Sequence, residues 1–385
     1  MANLFYLKGK KYNCYVSGKP YFRTSVTING KVHQVYGDGE KDARRKIEEL
    51  KSQADKGINL DYRKAKVGEV METWLYDIKR LDRNLKATSF ANYESKFRLY
   101  IKPYPISQLT LQNFTRTNVQ KYVLQLVEEN RDITRTLDLA LMLLKMFAKW
   151  ALEEDIIAKD PCRGVVIPGK YTKTQKTFDI FSEEERELLL RYMRETHYWY
   201  DTLIQLAFAT GMRKGELLAL KWEDIYDGAI HVRHSTAAVT YIDGKGNRRV
   251  ETEVWEPKTV NAFRTIPLLG STQKILDGHK ARQAKYFLAH GLGRPEFVFT
   301  TNRGTLISHQ ILHTSYKALL KRAGLEYRKF HAIRHTFATE AIRRGVNVKD
   351  LQALMGHSNI AMTYRYVQSD ENSARNAIER LGAMM

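Results

Sequence analysis

The segment from residue 331 to residue 366 most constrains the fold, because its pattern predicts a short amphipathic helix with a defined end. Apolar residues recur there at four-residue spacing, which holds one helix face against a core; they are Ile333, Phe337 and Ala341. Gly345 follows two arginines, an arrangement typical of a helix C-terminus. His331 and Arg334 lie three residues apart, so one turn of this helix points both side chains the same way.

A second short helix is predicted directly after the first. It begins between Asn347 and Asp350 and ends at Gly356, which leaves His357 on the following turn. Tyr366 comes nine residues after that histidine. A single histidine or tyrosine is usually a packing residue, but chance rarely produces His-x-x-Arg, Gly-His and Tyr in this order. These residues are therefore candidates for a functional site.

The composition indicates a polyanionic partner. The chain has 63 Lys and Arg residues against 43 Asp and Glu, a formal net charge of +20. A membrane surface would also attract this charge, but no apolar run approaches the roughly 18 residues of a spanning helix and no lipidation motif is present. The N-terminus does not have the pattern of a signal peptide. The sequence therefore predicts a cytoplasmic protein, and its 385 residues predict two or three domains.

Metal and disulfide chemistry are not indicated. Cys14 and Cys162 are far apart in the chain, so neither a disulfide framework nor a cysteine zinc site is supported. No phosphate-binding G-x-x-x-x-G-K-S/T loop and no H-E-x-x-H motif occur. His231 and His234 lie on a predicted strand and are interpreted as structural or DNA-facing. The sequence thus predicts a protein that needs no metal or other cofactor.

Residues 1–60 are predicted to form a separate module of three strands and a helix. The strands are predicted at residues 13–17, 21–28 and 31–36, and the helix at residues 40–54. Asn29-Gly30 between the last two strands is a strong hairpin signal. The module's basic charge suits a sheet placed in the DNA major groove, and a solvated basic face is the alternative. Its cations are Lys8, Lys10, Lys11, Lys19, Arg23 and Lys31.

Residues 67–164 show helical periodicity after a polar linker at residues 55–66. Apolar residues repeat every four positions in three stretches, which are Val70, Trp74 and Ile78; Tyr93, Phe97 and Ile101; and Val119, Val123 and Val127. A fourth helix is predicted at residues 134–152, with a buried face of Leu139, Leu143, Met146, Phe147 and Trp150. Lys86, Lys96 and Arg98 are candidate contacts to a DNA backbone. A plain helical bundle is the alternative for this domain.

Residues 165–177 are extended, basic and poor in apolar side chains, which predicts a linker between domains. If the polyanionic partner is a nucleic acid, the cations of such a linker can follow its phosphates. These cations are Lys170, Lys173 and Lys176. Ser182 and Glu185 then form a predicted capping box that begins the first helix of a C-terminal domain at residues 178–385.

The C-terminal domain contains the turn T-G-M-R-K-G-E at residues 210–216. An apolar helix ends at this turn and puts Arg213 at the start of a new helix, where Glu216 can hold the guanidinium group. Strands forming one small sheet are predicted at residues 229–240, 249–255 and 263–268. Lys258 falls at the turn between the last two strands and, considered alone, would be interpreted as a solvated hairpin lysine.

Together these motifs resemble those of the tyrosine recombinases, the phage integrase family. The family pattern has an arginine in a T-G-x-R-x-x-E-like turn, a lysine on a β-hairpin, His-x-x-Arg, Gly-His and a tyrosine about nine residues later. The matching residues are Arg213, Lys258, His331, Arg334, His357 and Tyr366. Family spacing favours Tyr366 over the neighbouring Tyr364. With its N-terminal module, the chain is most similar to integrases of conjugative transposons.

The resemblance implies a multidomain α+β fold. It implies an arm-type DNA-binding domain of three strands and a helix at residues 1–60 and a helical core-binding domain at residues 67–164. The interdomain linker at residues 165–177 then leads to a mainly α catalytic domain with a small antiparallel sheet at residues 178–385.

The resemblance also implies an activity and a role for each site residue. Tyr366 would attack a DNA phosphodiester to form a 3′-phosphotyrosyl link, and two such rounds would exchange strands through a Holliday junction to integrate and excise a mobile element. Arg213 and Arg334 would hold the phosphate oxygens, and Lys258 would protonate the leaving 5′ oxygen. His331 is implied as the likeliest base, and His357 would add a hydrogen bond or a proton.

The implied partners are double-stranded DNA with core and arm sites, further copies of the chain in a homo-tetramer, and an excisionase or DNA-bending accessory protein. Residues 372–381 are a candidate helix that docks on a neighbouring copy, with a tail packed in cis as the alternative. The implied location is the bacterial nucleoid. Two other functions remain open, a type IB topoisomerase or telomere resolvase and a catalytically silent DNA-binding regulator. The arm-like module disfavours the first of these, and the complete set of catalytic residue types disfavours the second.

Overall fold

The computed structural model of the chain describes residues 4–367, apart from residues 56, 58, 63, 130–133, 169–178 and 257–262. The chain divides into two units, Met1–Thr174 with Tyr241–Arg248, and Gln175–Thr240 with Arg249–Met385. Both contain helices and short antiparallel strands, so the predicted α+β class is confirmed. In the described part, no helix has the length and apolar character needed to cross a lipid bilayer.

Five short strands and one helix form the N-terminal part of the first unit. Strands β1 to β5 are Phe5–Leu7, Lys10–Tyr12, Cys14–Val16, Lys19–Ile28 and Lys31–Gly37, and α1 is Glu40–Asp55. The sheet order is β3-β4-β5, and at the predicted Asn29-Gly30 turn both φ angles are positive, 50° and 77°. The three predicted strands and the helix are confirmed. The β1–β2 hairpin, Phe5–Leu7 paired with Lys10–Tyr12, is missed by the sequence reasoning.

Helix α1 packs closely on one face of this sheet. Ala43 and Leu50 are buried, and a side chain on Gly37 would overlap the backbone of Ala43. Because side chains alternate along a strand, the opposite face of the sheet carries the exposed residues. They are Arg23, Ser25 and Thr27 on β4 and Gln34 and Tyr36 on β5.

Helices α2 to α6 form most of the rest of the first unit. They are Val67–Thr73, Ala87–Lys96, Pro105–Gln108, Arg116–Glu129 and Thr134–Glu153. α2 and α3 each continue into a π-helical turn, at Trp74–Ile78 and Phe97–Ile101. The rings of Trp74, Phe147 and Trp150 pack at the centre, with centroids 5.7 to 6.3 Å apart. The helical character predicted for this stretch is confirmed.

Not every apolar residue of these helical repeats is buried. Ile78 is 45% exposed, because the wider π-helical turn rotates the end of the four-residue stripe away from the core. Leu139 is only half-buried, whereas Leu137 and Leu144 are buried. Apolar residues occupy so many positions of α6 that their spacing does not decide which face points inward.

The predicted linker is described only at its start. Val165 and Ile167 pack against the helical core, and the side chain of Gln120 bonds the backbone N–H and C=O of Val166. Residues 165–167 therefore lie along the helices. The rest of the predicted linker, with Lys170, Lys173 and Lys176, lies outside the described residues, as does the candidate docking segment 372–381.

The second unit is mainly helical. Helices α7 to α14 are Glu183–Glu195, Asp201–Thr210, Lys214–Leu218, Gly270–Ala289, His309–Arg322, His331–Arg343, Val348–Met355 and Ala361–Tyr364. Strands β6 to β10 are Ile225–Tyr226, Ala229–Val232, Ser235–Ile242, Arg248–Trp255 and Arg264–Pro267. The tip of the β8–β9 hairpin, Tyr241–Arg248, is assigned to the first unit. The predicted capping box is confirmed, since Ser182 and Glu185 exchange hydrogen bonds of 2.9 and 3.2 Å.

The prediction of one small sheet in this region is wrong. The described strands form two sheets, one ordered β10-β7-β6 and the other a separate β8–β9 hairpin. Lys258 lies outside the described residues, and the strands before and after it belong to different sheets rather than to one hairpin. The error has a physical cause: local periodicity identifies strands, but pairing between distant segments decides their partners.

Candidate active site

Helix α12 carries His331 and Arg334, and α13 leads to the turn with His357; both helices end where the sequence predicts. The side chain of Asn347 caps α13 by accepting from the backbone N–H of Lys349 at 2.8 Å. The helix ends at Gly356, whose φ of 63° lets the chain turn out of the helix. His357 follows on that turn, and Tyr366 lies two residues beyond α14.

Three arginines from separate elements bind three successive carbonyl groups at the end of α13. Arg264 Nε donates to Leu354 at 2.6 Å, Arg334 Nη2 to Met355 at 2.6 Å, and Arg213 Nη2 to Gly356 at 2.7 Å. Carbonyls at a helix C-terminus have no partner within the helix and form the negative end of its dipole. The guanidinium groups therefore complete this helix end and bring three distant segments to one point.

Glu216 holds two of these arginines. Its carboxylate accepts from Arg213 Nη1 at 2.8 Å and from both Nη atoms of Arg264 at 3.0 and 2.7 Å. Burial by itself would raise the pKa of Glu216, but the hydrogen bonds and charges of Arg264 and Arg213 lower it to about 2. Glu216 is therefore ionised at neutral pH and fixes the orientation of both guanidinium groups.

The turn before Arg213 joins the same cluster. Gly211 ends α8 with a φ of 61°, and its carbonyl accepts from Arg334 Nη1 at 2.7 Å. A side chain at this position would overlap the ring of Phe337 on α12. Arg334 is 3% exposed, whereas 33% of the Arg213 side chain is exposed, so Arg213 is the more open of the two to an incoming anion.

Tyr366 is buried beside this cluster. It is 6% exposed and packs with apolar residues of α12 and α13, whereas Tyr364 is 55% exposed. The Tyr366 hydroxyl lies 2.8 Å from Nδ1 of His335. Its ring is parallel to that of His357, with 6.4 Å between the centroids. Burial raises the pKa of Tyr366, and the neighbouring arginines oppose this rise.

The histidines around Tyr366 are neutral at physiological pH. Loss of solvation, reinforced by cationic neighbours, lowers the pKa of His335 and of His357 to about 4. The same causes lower the pKa of His331, whose ring meets that of His335 edge to face at 4.6 Å. His357 Nδ1 lies 2.9 Å from the hydroxyl of Thr363. All three imidazoles can therefore accept a proton.

The structure brings most of the predicted catalytic residues together. The cluster contains Arg213, His331, Arg334, His357 and Tyr366, with Glu216 as the predicted support. Lys258 lies outside the described residues.

Two members of the cluster, Arg264 and His335, are missed by the sequence reasoning. His335 follows His331 by four residues, so helical spacing already puts both on one face of α12. Arg264 is a cation at the start of the short strand R-T-I-P, and its side chain is only 5% exposed. A cation at the start of a predicted strand of the catalytic domain is the signal that could have found it.

The predicted DNA-binding cations that are described lie on the first unit. Lys10 forms an ion pair with Asp38, Lys11 with Glu40, and Lys31 with Asp61. Lys19 and Arg23 are exposed on β4. Lys86 precedes α3, and Lys96 lies over the ring of Tyr100 at 5.3 Å. Exposed ion pairs contribute little, typically ~0.2–1 kcal/mol, so a phosphate can compete for these lysines.

Among the described residues, no group of three or more His, Cys, Asp or Glu side chains is placed to hold a metal ion. His231 stacks on Tyr226 at 3.8 Å, and His234 Nδ1 lies 3.4 Å from the carboxylate of Asp224. Cys14 and Cys162 are free thiols.

The arrangement suits attack on a phosphate ester. Guanidinium groups bind phosphate oxygens through paired N–H donors and stabilise the charge that develops in a transition state. A phenol hydrogen-bonded to a neutral imidazole is a nucleophile with an adjacent proton acceptor. Arg213, Arg334, Tyr366 and His335 supply these parts within one unit of the chain.

Known proteins share this architecture. The model of the phage integrase family matches residues 179–373. A tyrosine recombinase XerC-like protein of Caldanaerobacter subterraneus subsp. tengcongensis is 37% identical over 389 aligned residues, which cover 97% of this chain and 98% of that protein.

Two solved structures have the same fold. The Tn1549 transposon integrase in complex with transposon right end DNA matches with a TM-score of 0.63 and 22% identity, covering 81% of this chain and 99% of that chain. A lambda integrase tetramer bound to a Holliday junction matches with a TM-score of 0.57 and 17% identity, covering 90% and 92%. At these identities the two matches establish the fold.

Proposed function

Because the chain belongs to the phage integrase family of tyrosine recombinases, we propose that it is a site-specific recombinase that integrates and excises a mobile element. It is a DNA strand transferase, and its substrate is double-stranded DNA. The observation that carries this proposal is the position of Tyr366, whose hydroxyl lies in one cluster with two arginines and neutral histidines.

In the proposed step, the oxygen of Tyr366 attacks the phosphorus of a DNA phosphodiester. A bond forms between these two atoms, the bond to the 5′ oxygen breaks, and the strand stays attached through a 3′-phosphotyrosyl link. Arg213 and Arg334 stabilise the charge that develops on the non-bridging oxygens. The link retains the energy of the broken bond, so the 5′ hydroxyl of a second strand can reverse the step without ATP, and two rounds pass through a Holliday junction.

The remaining site residues are assigned to proton transfer, to binding of the phosphate and to positioning of Arg213. We assign Lys258 the role of general acid that protonates the departing 5′ oxygen. His357 is assigned a hydrogen bond to the phosphate, which suits its place on the turn directly after the arginine-bound end of α13. Glu216 positions Arg213 and has no contact with the reacting atoms in this scheme.

The first unit is assigned to DNA binding. We propose that residues 1–60 form an arm-type domain, residues 67–164 a core-binding domain, and residues 165–177 the linker to a catalytic domain at residues 178–385. The exposed face of the β3-β4-β5 sheet supports the arm-type role, because strands presenting arginine, glutamine and tyrosine side chains can enter a major groove. Arg23 pairs across the strands with Tyr36, and Ser25 with Gln34.

We propose that the chain acts as a homo-tetramer on the DNA of the bacterial nucleoid, like the lambda integrase seen on a Holliday junction. Residues 372–381 are the candidate segment for docking between copies. An excisionase or a DNA-bending protein is the proposed accessory partner. Together these would decide whether the element enters or leaves the chromosome.

A nicked core-site duplex tests the proposal, because cleavage releases a short fragment and traps the covalent adduct. The full-length chain is expected to form the adduct equally with and without EDTA. Tyr366→Phe should bind the duplex but form none, whereas Tyr364→Phe, a matched change at an exposed position, should behave as wild type. An adduct with Tyr366→Phe would remove Tyr366 from the nucleophile's role.

A further inference from the structure

The hydroxyl of Tyr366 and the ring of His335 form a pair that the family motifs do not include. Nδ1 of His335 lies 2.8 Å from the Tyr366 oxygen, a normal hydrogen-bond length. The two rings are tilted by 45° with their centroids 5.6 Å apart. His335 lies one helical turn beyond His331 on α12, the histidine that the resemblance implies as base.

The other two histidines of the cluster are placed for different contacts. His331 meets the ring of His335 edge to face, with 4.6 Å between the centroids. His357 directs Nδ1 at the hydroxyl of Thr363, and its ring lies parallel to that of Tyr366. The geometry therefore places a ring nitrogen of His335 at hydrogen-bond distance from the nucleophilic oxygen.

We propose that His335 is the proton acceptor for Tyr366, a catalytic role in addition to those of the six residues that match the family pattern. The inference rests on the proposed function, since it requires Tyr366 to be the nucleophile. In the tautomer with its proton on Nε2, His335 accepts the phenol hydrogen bond at Nδ1. As the tyrosine oxygen bonds to phosphorus, its proton passes to Nδ1 and the 5′ oxygen leaves with a proton from the general acid. In rejoining, the His335 imidazolium returns the proton to the departing phenol oxygen.

The charges around His335 make its basicity depend on the substrate. His331 and Arg334 face it from its own helix, and Arg365 and Tyr366 from the segment after α14. In the DNA-free protein, desolvation, the neighbouring His331 and the positive charges of Arg334 and Arg365 keep the His335 pKa at about 4. A phosphate bound at Arg334 brings negative charge that opposes the cations and raises this pKa. The phenol thus stays protonated until a phosphate arrives.

Replacing His335 by Asn separates basicity from positioning, because the asparagine side-chain oxygen stands near the place of Nδ1 and accepts a hydrogen bond without taking a proton. His335→Asn is expected to bind the nicked core-site duplex normally and to form the adduct roughly 10²-fold more slowly. His335→Ala should be equally slow, and added imidazole should restore part of its rate. The matched control is His313→Asn, which changes another histidine bonded to a tyrosine, Tyr327 at 3.1 Å, on the exposed side of α11.

A duplex with sulfur in place of the bridging 5′ oxygen identifies the step that is lost. A thiolate leaves without protonation, so this substrate rescues the loss of a general acid and leaves the loss of a base uncorrected. His335→Asn is expected to remain slow on it.

Three outcomes would overturn the inference: wild-type rates with His335→Asn, full rescue of that variant by the sulfur substrate, or no response of His335→Ala to imidazole. If the wild-type chain itself forms no adduct, the proposed function fails instead. The alanine variant with imidazole decides the matter if the asparagine variant does not fold.

Discussion

At the scale of single residues, the arginines hold the elements of the site together, and two of them are also proposed to bind the reacting phosphate. Arg213, Arg264 and Arg334 complete the C-terminal end of α13, and Glu216 locks two of them. A guanidinium group has five N–H donors in a fixed plane, so it can satisfy a carbonyl and still present donors to a phosphate. Lysine has neither the number of directed donors nor the plane.

Arg264→Lys should therefore weaken both the fold and the reaction. The ammonium group cannot replace the three bonds to Glu216 and Leu354, which leaves buried acceptors short of donors. We expect the free energy of unfolding to fall by about 3 kcal/mol, the scale of a broken buried ion pair, and adduct formation to slow by more than tenfold. Urea unfolding and the nicked-duplex assay measure the two effects.

Arg233→Lys is the matched control, since Arg233 is exposed just after β7 and bonds the hydroxyl of Tyr226. It should change neither quantity noticeably. Equal effects of the two substitutions would show that Arg264 does not position the site.

The histidine pKa values predict a pH-dependent stability. The pKa of His335 and His357 is about 4 in the folded chain against 6.5 for an unperturbed histidine, so between these values the unfolded state binds more protons. The free energy of unfolding should then fall as the pH is lowered from 6.5 to 4. Glu216, with its pKa lowered from 4.5 to about 2, begins to lose its contribution only below about pH 4.5.

Urea midpoints between pH 7 and pH 4.5 measure this dependence. His357→Asn keeps an acceptor near Thr363 but cannot be protonated, so its stability should fall less steeply over this range. An unchanged slope would mean that His357 does not titrate with the abnormal pKa.

At the scale of elements, the end of α8 decides how Arg213 is presented. Gly211 combines a left-handed φ of 61° with direct contact to Phe337 and a carbonyl that accepts from Arg334. The turn T-G-M-R thus joins α8 to α12 and directs Arg213 at the end of α13. Its glycine is required by both conformation and space.

Gly211→Ala should lower the free energy of unfolding of the second unit by more than backbone strain alone would. Alanine at positive φ costs about 1 kcal/mol, and its Cβ would also overlap Phe337 and push α12 away. Gly324→Ala provides the comparison, because Gly324 has a φ of 74° with open space around its Cβ position. Thermal unfolding should show a clearly larger loss for Gly211→Ala; similar losses would argue against the close contact.

At the scale of the whole molecule, the two units are assigned separate tasks. The arginine cluster, the histidines and Tyr366 all lie within the second unit. The exposed sheet face lies at the opposite end of the sequence, in the first unit. Recognition of arm sites and strand cleavage should therefore respond to different substitutions.

Replacing Arg23 and Gln34 by Ala in the full-length chain tests this division. These side chains are exposed on adjacent strands, and their loss removes donors that could contact bases or phosphates. Cleavage of an isolated core site should be unchanged, whereas integration of a substrate with arm sites should fall at least tenfold. Lys51→Ala, an exposed change on α1, is the control. Unimpaired integration would contradict the arm-binding assignment.

How far the sequence could predict this protein follows from the range of each interaction. The C-terminal ends of helices at Gly345 and Gly356 and the N-terminal cap at Ser182 are predicted correctly, because helix caps depend on a few neighbouring residues. The sheet that contains β7 is not predicted correctly. Arg264 pairs there with Val232, 32 positions earlier in the chain, and no local pattern specifies that partner. The exposure of Ile78 likewise follows from a π-helical turn that a four-residue period does not anticipate.

The sequence by itself determined the helices of the site, their ends and most residues that meet there, since periodicity and glycine conformation are local properties of the chain. Only the tertiary structure decided which arginine binds which carbonyl of α13, and that His335 rather than His331 lies against the Tyr366 hydroxyl. Those contacts join residues up to 143 positions apart. Their geometry arises from the packing of α8, β10, α12 and α13 around a common core, which spacing along the chain does not encode.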